Sequence, residues 1–272
     1  MSRLGAPQLS FPRPGKVLKV VLIGYFALWL IFSLGMNWAG VSSAPLRAMM
    51  ATPQEIANGE IWRVFTAAWV PEVRSIFSVL ITLFVLYLFG AQLEELWGGK
   101  RFAFFLFWTG TLAYAGQFLL TPLMPAFLAE RVLSPYPAGA TPIVEACVIA
   151  WALTYPDRVI YLFLVVPVKG RTFIYLTLGI NILMLVALQT PQAGFPALFL
   201  GMGAGWLLGG STPSPLRKWY LKYKLSQLER EAEDERKKRK KRAERSGLQV
   251  LKGGKGDSRA DDDEKPPRNL LN

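Results

Sequence analysis

The sequence predicts an all-α, polytopic membrane protein: a bundle of six helices followed by a charged C-terminal helix on the cytoplasmic side. Three observations predict it. Of the 272 residues, 52% are hydrophobic and only 18% charged, too apolar for an ordinary soluble domain of this size. The apolar residues gather into six runs. The charge gathers at the end: from Leu216 onward there are 18 Lys/Arg and 11 Asp/Glu, against 13 and 8 in everything before it.

Arg3, Arg13, Lys16 and Lys19 precede the first run, Val20 to about Met36. It reads as a signal anchor rather than a cleaved signal peptide. It is longer than a usual h-region, and the small-residue site beyond it, Ser42-Ser43-Ala44, runs into Pro45. The second run spans Ile76–Phe89 and the third Phe102 to about Leu120, joined by a short polar hinge, Glu94 to Arg101. The fourth, Ile143–Leu153, and the sixth, Phe195–Leu208, are shorter than the roughly 20 residues that cross a bilayer core, which suits helices buried inside a bundle. The fifth begins at Val159–Val166, is interrupted by Pro167 to Arg171, and resumes over Phe173–Leu188. In the sixth, Gly201, Gly205 and Gly209 repeat at a spacing that places them on one helical face, where another backbone can approach closely.

The loop charges orient this arrangement. With six spans and both termini cytoplasmic, Lys100, Arg101, Arg158, Lys169 and Arg171 lie inside. Arg47, Arg63, Arg74 and Arg131 lie outside, offset by Glu55, Glu60, Glu72 and Glu130. The expected organisation is a cytoplasmic N-terminal segment at 1–16, the six-span domain at 17–210, a juxtamembrane charged helix at 211–246 and a disordered tail at 247–272. In the charged helix, Leu221, Leu225, Leu228 and Ala232 recur at helical spacing, and acids at 233–235 stand four residues before basic residues at 237–239. Its basic stretch, Arg236 to Arg245, reads as a solvated face beside anionic lipid headgroups rather than as a nucleic-acid site.

Composition also removes classes of chemistry. The chain contains no histidine, so Ser-His and Cys-His nucleophile pairs and His-ligated metals are excluded. One cysteine, Cys147, allows no internal disulfide and no thiolate cluster. No metal and no cofactor are expected.

Four motifs remain: GEIWRVFTAAWV (59–70), LFGAQLEELWGGKRF (88–102), GATP (139–142) and YPDRVIYLFLVVPVKGR (155–171). In this order and spacing, over about Val17 to Gly210, the chain resembles the rhomboid family of intramembrane serine proteases. Distant rhomboid-like relatives such as derlins share parts of the pattern. Trp62-Arg63 looks like the family's loop motif, and Leu93-Glu94 with the following glycines like its turn between the second and third helices. The Phe163 to Lys169 segment resembles its cytoplasmic loop before helix five. Gly201 to Gly205 resembles the glycine-rich sixth helix that packs on the nucleophile helix.

The resemblance implies a fold kept without its peptidase. Thr141 occupies the position of the family's serine and Pro142 that of the following glycine. Leu198 stands where the histidine base belongs, and helix two offers only Ser78 and Thr82 in place of the oxyanion-side His and Asn. Thr141 reads as a helix N-cap with Pro142 at the first helical position and Glu145 in the first turn. Glu145, an acid inside an apolar helix, is by default a functional-site candidate, with Arg63 or Arg131 as its expected ion partner. Trp62, Arg63, Thr82, Glu94, Thr141 and Glu145 form the candidate polar site for clients or structure, with Phe105 expected on the lipid face.

The expected function is a rhomboid-like pseudoprotease, an integral multi-pass membrane protein and not an enzyme, sited in the cell inner membrane if the source is prokaryotic. Its expected partners are the bilayer and transmembrane helices of client proteins, with no nucleic acid. A divergent rhomboid protease and a small-molecule carrier built on Glu145 are the competing readings.

Overall fold

The structure is a computed structural model that describes residues 13–162, 166–209 and 215–245. The expected N-terminal segment up to residue 12, part of the Phe163–Lys169 motif and the tail at 247–272 lie outside the described residues. The chain divides into two units, one ending at Lys218 and the other beginning at Trp219.

The first unit opens with α1 (Lys16–Asn37), 22 residues long. At about 1.5 Å per residue it matches the roughly 30 Å hydrocarbon core. Three short helices follow, α2 (Ala44–Arg47), α3 (Pro53–Ala57) and α4 (Trp62–Thr66), the last running into a 3-10 turn at Ala67–Trp69. Helix α5 (Ile76–Trp97) starts at Ser75, whose hydroxyl accepts from the Ser78 N–H at 3.2 Å, an ordinary N-cap. It ends at Gly98, whose φ of 79° lies in the left-handed region that favours glycine. The chain turns there directly into α6 (Gly99–Leu120). After a second 3-10 turn at Thr121–Leu123 come α7 (Ala126–Val132) and α8 (Thr141–Thr154).

Strands β1 (Val159–Leu162) and β2 (Val166–Lys169) form an antiparallel hairpin with Val159 opposite Lys169 and Leu162 opposite Val166. This corrects the reading of Val159–Val166 as the start of a fifth apolar run; among the described residues every other element is a helix. The segment is rich in β-branched residues, and Pro167 lacks the N–H a helix needs. Helix α9 (Gly170–Val186) begins immediately after β2, and α10 (Phe195–Leu208) completes the unit. Helices α1, α5 and α6 are long and apolar enough to cross a membrane; α8, α9 and α10 are apolar and shorter.

Helix α11 (Pro215–Arg245) is a 31-residue polar helix. Its Tyr223, Leu225 and Leu228 are exposed.

Two ends of the first unit can be told apart by what meets there. The start of α1, the α5–α6 corner and the end of α8 with the hairpin share one end. Glu94 reaches the first N–H groups of α1, and Gln92 accepts from the Trp151 indole at 3.0 Å and from Arg158 at 2.8 Å. At the opposite end the connections are tied by backbone bonds: Ala51 N–H to Pro137 (2.8 Å), Gly139 N–H to Ala67 (2.9 Å) and Ala138 N–H to Gln192 (3.2 Å).

The core is α6, α8 and α10. Helices α8 and α10 run parallel in matched register: a Cβ on Gly201 would lie 2.6 Å from the Pro142 carbonyl oxygen, and one on Gly205 2.6 Å from the Ala146 Cα. Gly209, at the C-cap of α10, meets Ala150 in the same way. Three glycines and three α8 residues, each four apart, put the two backbones in contact. Larger residues at these positions would force the helices apart.

Candidate functional site

Helix α8 is the central element of the candidate site, and its first turn is fixed from outside. The Tyr114 hydroxyl donates to the Gly139 carbonyl at 2.8 Å, and the Gly139 N–H donates to Ala67. Ala140 is the N-cap, with its carbonyl accepting from the Val144 N–H at 2.9 Å, so Thr141 is already helical and caps nothing. This corrects the expected N-cap by one residue and moves Glu145 out of the first turn. Thr141 is half-buried, and among the described residues nothing hydrogen-bonds its hydroxyl. Leu198 is buried in the core.

Glu145 does not meet Arg63 or Arg131. Its carboxylate accepts from one side-chain amide, Asn181 Nδ2, at 2.9 Å and 2.8 Å, and the same nitrogen lies 3.7 Å from the Met202 sulfur. The Asn181 side chain is 2% exposed. The Glu145–Asn181 contact joins α8 to α9, and among the described residues no cation pairs with the carboxylate. The two arginines expected as partners are otherwise placed. Arg63 is buried and donates through Nε to Glu60 at 2.6 Å and through its NH1 to the carbonyls of Arg47 and Met50. One planar guanidinium thereby satisfies three acceptors and pins the connection between α1 and α5. The Arg131 side chain is exposed, and its carbonyl accepts from the Thr190 hydroxyl.

The other candidates are dispersed. Glu94 is buried at the opposite end and accepts from the Val17 N–H at 2.9 Å and the Leu18 N–H at 3.0 Å. A carboxylate from α5 thus satisfies two orphan donors of α1 and opposes the positive end of its dipole. It is a cap, and it lies at the other end from Glu145. Trp62 is exposed at 53%, and Thr82 is half-buried in α5. Phe105, expected towards lipid, is buried and stacks edge-on against Trp97 at 5.1 Å, while Phe104 is exposed. The outward face of α6 therefore carries Phe104 and not Phe105. Gly201, Gly205 and Gly209 lie together on the α8 contact.

Asn181 and Gln117 escaped the sequence reading. The Gln117 Oε1 accepts from the Ala197 N–H at 2.9 Å and so satisfies the start of α10. Asn181 carried a readable signal, being the one side-chain amide in the Phe173–Leu188 run. A hydrogen-bonding residue inside an apolar helix asks for a partner on a neighbouring helix.

Long apolar helices and polar groups satisfied inside the bundle define an integral membrane protein of mainly helical fold. Residues 17–208 match the family model described as "Eukaryotic integral membrane protein (DUF1751)", and the chain belongs to that family. No curated protein matches it.

Proposed function

We propose that this protein is a rhomboid-like pseudoprotease: a six-span membrane protein, both termini cytoplasmic, that binds transmembrane segments of client proteins without cleaving them. The resemblance of its motifs to rhomboids supports the architecture. Loop charge supports the orientation, because the end carrying Lys16, Lys100, Arg101, Arg158, Lys169 and Arg171 is basic, while the opposite end balances its arginines with Glu55, Glu60, Glu72 and Glu130. The exposed apolar face of α11 and its basic stretch suit anionic headgroups on the cytoplasmic side.

The observation that carries the reading is Glu145 with Asn181. A carboxylate at membrane depth with a single amide partner keeps acceptor capacity for a donor on an incoming helix. The α9 helix that shares it presents most of its side chains outward, with Tyr175, Leu183 and Val186 at least 68% exposed. A client span with polar or helix-breaking residues carries unsatisfied groups that cost several kcal/mol each in lipid, and contact with this acid offsets part of that. Proteolysis is disfavoured by the chain's own residues: there is no histidine to activate Thr141, and the Glu145 carboxylate is turned to Asn181 and makes no hydrogen bond with the Thr141 hydroxyl.

Photo-crosslinkers placed at Thr82 and Thr141 in native membranes are expected to capture membrane proteins with weakly apolar spans, and one at Phe104 is not. The same capture profile from all three positions would remove client selection. Cleavage of a transmembrane substrate that disappears in Thr141→Ala would restore the protease.

A further inference from the structure

At the end of the bundle opposite Glu94, beside the last turn of α1, five chain segments enclose a half-open cleft of about 470 Å3, within the roughly 300–1,000 Å3 range of small-ligand sites. Its buried lining is apolar: Leu46 and Met50 belong to a cluster with Val70 and Ala138, against which Met36 and Val73 pack. Its outer lining carries Arg47 and Arg74, both exposed, and Glu72, half-buried.

The walls are tied together. The Arg63 guanidinium holds the carbonyls of Arg47 and Met50, the Ala51 N–H donates to Pro137, and the Ala138 N–H donates to Gln192. A cleft braced this way loses little freedom on accepting a ligand. Among the described residues Arg47, Glu72 and Arg74 take part in no ion pair. The Arg47 guanidinium lies over the Tyr136 ring, 5.5 Å from its centroid, and both residues line the cleft. Two unpaired cations and one unpaired acid around an apolar hollow suit a ligand with an anion, a cation and an apolar continuation.

The level of the cleft narrows the class. Trp38, Ile61 and Trp62 near this end are exposed at 86%, 61% and 53%, as residues of a membrane–water interface are. From the cleft, Phe32 and Trp29, both half-buried, continue the Met36 face of α1 one and two turns further along the helix. We propose that the cleft binds the headgroup of a zwitterionic phospholipid, with the phosphate between Arg47 and Arg74, the ammonium towards Glu72, and an acyl chain over Phe32 and Trp29. Guanidinium is the side chain best shaped for phosphate oxygens. This site is independent of the client-binding reading, since none of its residues touches Glu145 or Asn181.

The test uses the full chain purified in detergent, challenged with phosphatidylcholine, phosphatidylglycerol, diacylglycerol or chain-free glycerophosphocholine, with retained lipid read by native mass spectrometry. Phosphatidylcholine is expected to be retained at least fivefold over phosphatidylglycerol and diacylglycerol, and glycerophosphocholine is not expected to displace it. The double variant R47Q/R74Q is expected to drop phosphatidylcholine to the diacylglycerol level. Glu72→Gln is expected to keep phosphate binding but lose the preference for phosphatidylcholine over phosphatidylglycerol. Lys100→Gln, exposed at the other end, is expected to change nothing. Both arginine side chains are exposed, and Arg63 uses only the backbone carbonyl of Arg47, so an unchanged thermal melt accompanies the loss. Retention unchanged in R47Q/R74Q, a preference unchanged in Glu72→Gln, or displacement by glycerophosphocholine as effective as by lipid would overturn the proposal, the last in favour of a soluble phosphate ester.

Discussion

Helices α8 and α10 are mostly buried, whereas α9 buries only Gly170, Phe173 and Asn181, and α1 only Leu18 and Tyr25. The two pairs are held in different ways. Lipid is as apolar as a leucine side chain, so burial does not by itself press helices together in a membrane. The inner pair associates through backbone contact at Gly201 and Gly205 and keeps its dispersion contacts at short range. Each outer helix is instead tethered by one carboxylate from a neighbour: Glu94 holds the N-terminus of α1, and Glu145 holds the middle of α9 through Asn181. Rings help at the α9 base, where Phe173 meets Phe89 at 5.6 Å and Trp151 at 6.1 Å. A helix kept by a few polar bonds and one aromatic corner has less holding it in place than the packed pair has.

That contrast can be broken by experiment. Gly205→Leu is expected to have the largest effect, about 3 kcal/mol or more, because the new side chain meets the Ala146 backbone, which cannot move aside. Loss of a monodisperse peak in detergent would report it. Arg63→Ala is expected to cost about 2–3 kcal/mol in thermal stability. It strands two carbonyls and Glu60, which is partly exposed and so recovers some hydration. Glu94→Ala is expected to cost about 2 kcal/mol, the scale of hydrogen bonds to a charged group, and to raise hydrogen exchange in the first turn of α1 alone. Replacing both partners together, Glu145→Leu with Asn181→Leu, is expected to cost least, about 1 kcal/mol, because no carboxylate is left stranded. It should increase exchange in α9 while α8 and α10 stay protected. If that double variant loosened α10 as much as α9, or Gly205→Leu behaved like it, the distinction between packed core and tethered periphery would fail.

The legible part of this molecule is one-dimensional. The apolar runs mark α1, α5, α6, α8 and α10 closely, because length and mean hydropathy are properties of a segment by itself. The runs beginning at Ile76, Ile143 and Phe195 fall at or within two residues of helix starts. The hairpin was missed because Val159–Val166 is as apolar as a span; only Pro167 and the β-branched residues argued otherwise. The Phe105 error came from α6 being apolar all round, so periodicity gave no preferred face. The partner of Glu145 was missed for another reason. The loop charges offer arginines on the same side, and a sequence shows that Asn181 is present but not that α9 brings it against Glu145.

By itself the sequence determined that this is an integral membrane protein, where its apolar helices lie, which glycines share a face, and that histidine chemistry is absent. Those facts follow from the composition and local spacing of residues. Tertiary structure decided which polar groups satisfy one another: Glu94 with α1, Arg63 with the loop carbonyls, Gln117 with α10, Glu145 with Asn181. An unsatisfied polar group in a low-dielectric interior is costly, so each must find a partner. Which partner is within reach depends on how helices distant in sequence are packed, and that packing was set where backbones could come closest, at the glycines of α10.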